Sequence, residues 1–251
     1  MQSIFKLPSD DMPPNEREGA SGGATVTDRM ERWLESGEGF PWNEKEILRY
    51  LGYRGQEIPV NVEELICECC RKLEQAAAPK AVWREYPLTV REHVLDMVCL
   101  QTRSRNLERN LKDCGQIVVF GATLGSGVDI LLHRYGHLQM SKAVILQAAS
   151  AAMLETYCDW KNEKLRQEYQ KKGWYMRPRF SPGYGDFPLE CQRGIAAALE
   201  LNKRIGVTLT DSLLMAPSKS VTAVMGLSRK SRICSIQGCE ACDKTDCSYR
   251  R

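Results

Sequence analysis

The residues best suited to chemistry lie in one stretch: Arg177-Pro178-Arg179-Phe180-Ser181-Pro182-Gly183-Tyr184-Gly185-Asp186-Phe187-Pro188. Three prolines and two glycines in twelve residues exclude both a helix and a central strand. Each proline fixes φ and removes a backbone donor, and each glycine opens φ > 0. The stretch is therefore a loop of defined shape. A ligand can come close to backbone at Gly183 and Gly185. Arg179 is suited to a carboxylate or phosphate, and Tyr184 offers a flat face and a hydroxyl. Functional residues gather on loops held by a scaffold. The competing reading is a structural turn with scattered surface residues.

Other groupings compete for attention. Ala148, Ala152, Glu155 and Asp159 follow i, i+4, i+7, i+11, a groove of small residues that ends in two carboxylates. Such a pair can receive a cationic amine or sulfonium, or be a solvated face near Lys161 and Lys164. His133 and His137 stand one helical turn apart, but Gly136 interrupts and no third ligand is evident, so they read as surface histidines. Cys67 and Cys69 diverge by about 200° on a helix, so with Cys70 they read as ordinary helix cysteines. Leu124-Gly125-Ser126-Gly127 lacks the lysine of a phosphate loop and reads as a tight strand-to-helix turn.

The positioning elements follow from periodicity. Asp28 to Glu35 is a short helix. Asn43, with Glu46 three residues on, opens another helix in a capping-box arrangement. Leu65, Ile66, Cys69 and Leu73 define a helix from about Val62 to Ala77. Ala81 to Leu88 reads as a strand, Asn106 to Asp113 as a helix, and Ile117 to Thr123 as a buried strand. Ser141 is expected to cap a long helix to Gln170, and Asp186 a helix from Phe187 to Asn202. Val207 to Ser212 and Ser220 to Leu227 alternate as strands. The fold class expected is α+β, a twisted, largely antiparallel sheet packed with helices.

The chain has 251 residues, 43% of them apolar, and a net charge of +3. That is enough chain to bury a core. The charge is too small to argue for nucleic acid, and no apolar run is long enough to span a membrane. Eleven cysteines with no apolar signal core point to a reducing, cytoplasmic setting. Met1 to about Thr27, rich in Pro, Gly, Ser and acids, is expected to be disordered.

Arg179-Phe180-Ser181-Pro182-Gly183-Tyr184, followed by Pro188, resembles the signature loop Arg-Pro-x-Pro-Gly-Tyr-x-x-x-Pro of the activation domain of cobalamin-dependent methionine synthase. A second match lies in register: Leu209-Thr210-Asp211-Ser212, Met215-x-Pro217 and Ser220-Val221 resemble that family's Leu-Thr-Glu-Ser, Met-x-Pro and Ser-Val. The likeness covers roughly residues 45–228. It divides the chain into a weakly ordered extension (1–42), an activation-domain-like domain (43–228) and a Cys-rich tail (229–251).

The resemblance implies a free-standing component that binds S-adenosylmethionine and supports reductive methylation of the corrinoid, the cobalamin of a partner methyltransferase such as methionine synthase. The chain would be an activation subunit, with an electron donor such as flavodoxin or ferredoxin. The resemblance assigns Arg179 to the methionyl carboxylate and Pro182 and Gly183 to close backbone approach. Tyr184 goes to the adenosine or corrin side and Glu155 to the cationic end, with Asp159 as the alternative one turn on. The chain departs from the family at Met225 and Gly226, where an aromatic pair helps hold the ligand.

The tail adds Cys234-x4-Cys239-x2-Cys242-x4-Cys247, four cysteines in fourteen residues. Thiolates this close suit tetrahedral zinc or an iron–sulfur cluster. Spacing does not choose between them; the need of reductive methylation for an electron favours iron–sulfur. The alternative function is an iron–sulfur or zinc accessory protein that donates electrons to a corrinoid enzyme, or assembles with one, without binding S-adenosylmethionine.

Overall fold

Helical periodicity early in the chain gives way to strand patterning in the computed structural model, which describes residues 26–53 and 55–231. In chain order the elements are α1 (Val26–Ser36), α2 (Glu44–Tyr50), α3 (Val60–Ala76), β1 (Lys80–Pro87), β2 (Thr89–Arg91), β3 (Val94–Asp96) and β4 (Gln101–Thr102). Then come α4 (Arg105–Asn110), β5 (Cys114–Thr123), α5 (Ser126–Leu138), α6 (Met140–Lys171) and β6 (Tyr175–Met176). The last are α7 (Cys191–Leu199), α8 (Leu201–Ile205), β7 (Thr208–Leu209), β8 (Met215–Ala216) and β9 (Ser220–Ser228). The expected α+β class holds, and every strand pair among the described residues is antiparallel.

The described residues divide into two compact units. One runs to Ala77 and resumes from Gly127 to Trp160; the other holds Ala78–Ser126 and the described residues from Lys161 onward. The first unit is helical. Asn43 caps α2 as its sequence requires, its side chain accepting from the Glu46 N–H at 3.2 Å. The Glu74 carboxylate on α3 accepts from the Phe40 N–H and from Trp42 Nε1, fixing the segment between α1 and α2. Burial raises the Glu74 carboxyl, against those two bonds that lower it. Gly127 admits no side chain, since a Cβ would stand 2.3 Å from the Ala76 carbonyl oxygen.

The second unit is built on a four-stranded sheet of order β1-β5-β9-β6. β5 and β9 pair from Thr123 with Ser220 to Cys114 with Ser228, with an irregularity between Cys114 and Gln116. A core of Val82, Leu95, Leu107, Ile117, Val119, Phe187, Ile195 and Val224 covers one side of the sheet. Gly125 makes the tight turn expected after β5: its φ is 86°, and its N–H donates to Thr123 Oγ1 at 3.0 Å.

Four sequence expectations need correction. Ser141 lies inside the first turn of α6 rather than capping it, because the helix already starts at Met140. The helix expected over 187–202 begins at Cys191 and breaks at Glu200, whose φ is 52°. The break has a packing cause. Leu199 and Leu201 both reach the space above Gly121, where a Cβ would meet their side chains at 3.3 and 2.7 Å. On one continuous helix, residues two apart diverge by about 200° and cannot share a target. Third, the strand expected to reach Ser212 stops at Leu209. Thr210 Oγ1 accepts the Leu214 N–H at 3.1 Å, a hydroxyl-closed turn that ends the ladder. Fourth, Asp186 does not cap the helix that follows it.

Candidate functional site

The loop leaves the sheet from β6, where Tyr175 pairs with Ser228 and Met176 with Leu227. The Arg177 N–H donates to the Gly226 carbonyl at 2.7 Å, and its guanidinium to the Lys112 carbonyl at 3.5 Å. Phe180 then exchanges two backbone hydrogen bonds with Val224, each 2.9 Å, and packs against the core. Neighbours in extended backbone point to opposite faces, so Arg179, half-buried, leaves the core side.

Two turns follow. The Tyr184 N–H donates to the Ser181 carbonyl at 3.2 Å, with Gly183 at φ 89°. Proline in the second place and positive φ in the third make this a type II turn, which is why Pro182-Gly183 is the local choice. The Phe187 N–H then donates to the Tyr184 carbonyl at 3.0 Å, with Gly185 at φ 55°. The Gly183 N–H reaches the Phe187 carbonyl at 2.8 Å and closes the two turns on each other. Phe187 is buried. Tyr184, 65% exposed, stands at the outer end of this six-residue excursion. A Cβ on Gly183 would meet only Leu189 Cδ1, at 3.4 Å, so its backbone is approachable.

Asp186 makes the long-range contact. Its carboxylate accepts from the Ser104 hydroxyl, from the Arg105 N–H at 2.7 Å and from the Asn106 N–H at 3.1 Å. Those are the first donors of α4, which lies 80 residues earlier in sequence. Ser104 Oγ in turn accepts the Leu107 N–H at 3.0 Å. Burial acts to raise the Asp186 carboxyl, but the bonds from Ser104, Asn106 and Arg105 outweigh it and hold it below the usual range. Gly185 is pressed against the same helix, where a Cβ would stand 2.3 Å from Asn106 Nδ2.

Arg179, Pro182, Gly183 and Tyr184 thus share one loop of the second unit, whereas Glu155 belongs to the first unit, on α6. Ala148 and Ala152 are buried beside Glu155 along that helix, Glu155 is half-buried and Asp159 is exposed. His133 and His137 bring their Nε2 atoms to 3.3 Å on the exposed side of α5. Cys69 and Cys70 are buried on α3; burial pushes the Cys69 thiol up to about 11, far from a thiolate ligand. Among the described residues no three ligating side chains stand together. Cys234, Cys239, Cys242 and Cys247 lie outside the described residues, as does the extension to residue 25.

Sequence reasoning missed Ser104 and Asn106, and the contacts that Arg177 and Gly226 make. Met225 is fully buried, and a Cβ on Gly226 would overlap Cys114 Sγ at 2.6 Å and Leu111 Cδ2 at 2.8 Å. Position 226 therefore takes no aromatic ring in this chain. The glycine was visible in the sequence, but the neighbours that require it come from the residue that ends α4, Leu111, and the start of β5, Cys114.

Residues 99–251, more than half of the chain, match the family described as the vitamin B12 dependent methionine synthase, activation domain. The chain belongs to this family. The match includes the loop, the β7–β9 segment and the tail. Among solved structures, a crystal structure of the MetH reactivation domain bound to AdoHcy is similar in fold. Its TM-score is 0.54 at 17% identity, over 73% of each chain. No curated protein matches.

Proposed function

We propose that this activation-domain protein binds S-adenosylmethionine at the Arg179–Tyr184 loop and supports reactivation of a corrinoid methyltransferase carried on a separate chain. The observation that carries the reading is the loop itself. A type II turn holds an approachable glycine backbone next to an exposed tyrosine ring, with a half-buried arginine in the segment leading in. This donor set fits a zwitterionic amino acid joined to an adenosyl group: guanidinium for carboxylate, ring face for a flat base, backbone for close approach. The fold-related MetH domain was crystallised with AdoHcy, which supports the same class of ligand here.

When bound, S-adenosylmethionine would supply an electrophilic methyl group to a nucleophilic partner corrinoid, after a one-electron reduction by a donor of the flavodoxin or ferredoxin kind. The chain's own work is positional. Arg179 orients the carboxylate, Pro182 and Gly183 shape the backbone seat, and Tyr184 covers the adenosine or faces the corrin. We assign Cys234, Cys239, Cys242 and Cys247 to one metal centre, an iron–sulfur cluster or zinc.

A second reading, an accessory metalloprotein that does not bind S-adenosylmethionine, draws on Gly226, where the side chain that would wall the ligand has no room. A reactivation assay separates the two. A corrinoid methyltransferase from the same cell, oxidised to its inactive form, is mixed with the chain and a one-electron reductant. Recovery that requires S-adenosylmethionine supports the proposal, and recovery without it supports the second reading.

A further inference from the structure

Building on that reading, we infer that Asp186 is a positioning residue for the binding loop: seated on the first donors of α4, its carboxylate fixes the backbone that carries Gly183 and Tyr184. Phe180 and Phe187 anchor the two ends of the excursion, one by its bridge to Val224 and one by burial. Between them the backbone N–H groups of Gly183, Tyr184 and Phe187 close the turns on one another. Asp186 supplies the tie to a separate element, through the Ser104 hydroxyl and the Arg105 and Asn106 N–H groups. Gly185 is independent evidence, since its positive φ and its contact distance to Asn106 bring the backbone itself onto α4.

The other end of the loop repeats the pattern. Arg177 reaches the Lys112 carbonyl, just beyond the C-terminal end of α4. A six-residue helix is about 9 Å long, while the ten residues from Arg177 to Asp186 reach roughly 30 Å when extended. The slack is taken up by the two turns that present Gly183 and Tyr184. α4 is therefore the template against which the loop is folded, and Asp186 sets the register at the far end.

Charge supplies the second half of the argument. An acidic side chain seven residues from Arg179 would be a rival for that guanidinium, or would repel an incoming carboxylate. Seated on α4, its charge is met by the hydroxyl and two N–H groups, a favourable place for an anion. An asparagine at 186 keeps an acceptor for part of this seat; an alanine keeps none.

The test uses the full chain, with S-adenosylmethionine titrated into wild type, Asp186→Ala and Asp186→Asn, and amide hydrogen exchange followed over residues 183–187. Asp186→Ala should weaken binding about tenfold or more, the effect of losing a charge-assisted contact that orders the site. Exchange at Gly183 to Phe187 should rise while the sheet stays protected. Asp186→Asn should fall between the two, and it carries the test if the alanine variant does not fold. Wild-type affinity and unchanged exchange in both variants would overturn the inference. If the wild type binds no S-adenosylmethionine, the functional reading fails instead, and exchange alone decides whether Asp186 holds the loop.

Discussion

Arg179 is the residue on which the binding proposal rests. Its replacement by alanine should weaken S-adenosylmethionine binding by about 1.5–3 kcal/mol, the scale of a hydrogen bond to a charged group. Calorimetry on both proteins checks this. Asp186 makes a different prediction, about acid. Its folded carboxyl lies below the usual range, held there by Ser104, Asn106 and Arg105 against burial. A lowered folded value contributes stability that is complete above the unfolded value of about 3.9 and is lost as pH falls through the folded one. The gap in thermal midpoint between wild type and Asp186→Asn should therefore be constant from pH 7 to 5 and close on further acidification. A gap that widened in acid would contradict the seat on α4. At this scale the shape of the loop was legible because a Pro-Gly turn announces itself locally. The partner of Asp186 was not, because no local pattern links residues so far apart in sequence.

The elements follow the same division. α2 with its Asn43 cap, α3, β1, β5 and β9 were all readable, each from a period or a cap that the structure retains. The break at Glu200 was hidden, because it answers to Gly121 on another strand rather than to helix propensity. Gly226 is the sharpest test of this packing. Its Cβ would overlap Cys114, Leu111 and the Arg177 stem. Gly226→Ala should thus destabilise the protein by about 1–3 kcal/mol, the range for overpacking a core. The same change in a Cys114→Ala background should cost less, since the shortest contact is then gone. Denaturant titration of the four proteins reads the coupling, and equal costs in both backgrounds would mean that the strand rather than its neighbour resists the side chain.

For the whole molecule, the sequence gives no sign of the division into two units, since the first unit is assembled from two separate stretches of chain. Nor does it name the partner. Under the proposed function a separate corrinoid protein docks at the Tyr184 loop, and affinity purification from the native cell should recover a corrinoid methyltransferase. The tail carries its own prediction. Anaerobically prepared protein should hold iron with acid-labile sulfide, or zinc near one per chain. Replacing Cys239 and Cys242 by serine should remove that metal and leave S-adenosylmethionine binding intact, because the two features lie in separate segments. Protein prepared with both metals supplied and holding neither would make the four cysteines a coincidence of composition.

Titration of S-adenosylmethionine into the purified 251-residue chain, followed by calorimetry and by thermal shift, tests the central claim most directly. The account predicts saturable binding to one site per chain, weakened in Arg179→Ala and unaffected by loss of the tail cysteines. No heat and no shift in thermal midpoint at millimolar ligand would contradict it.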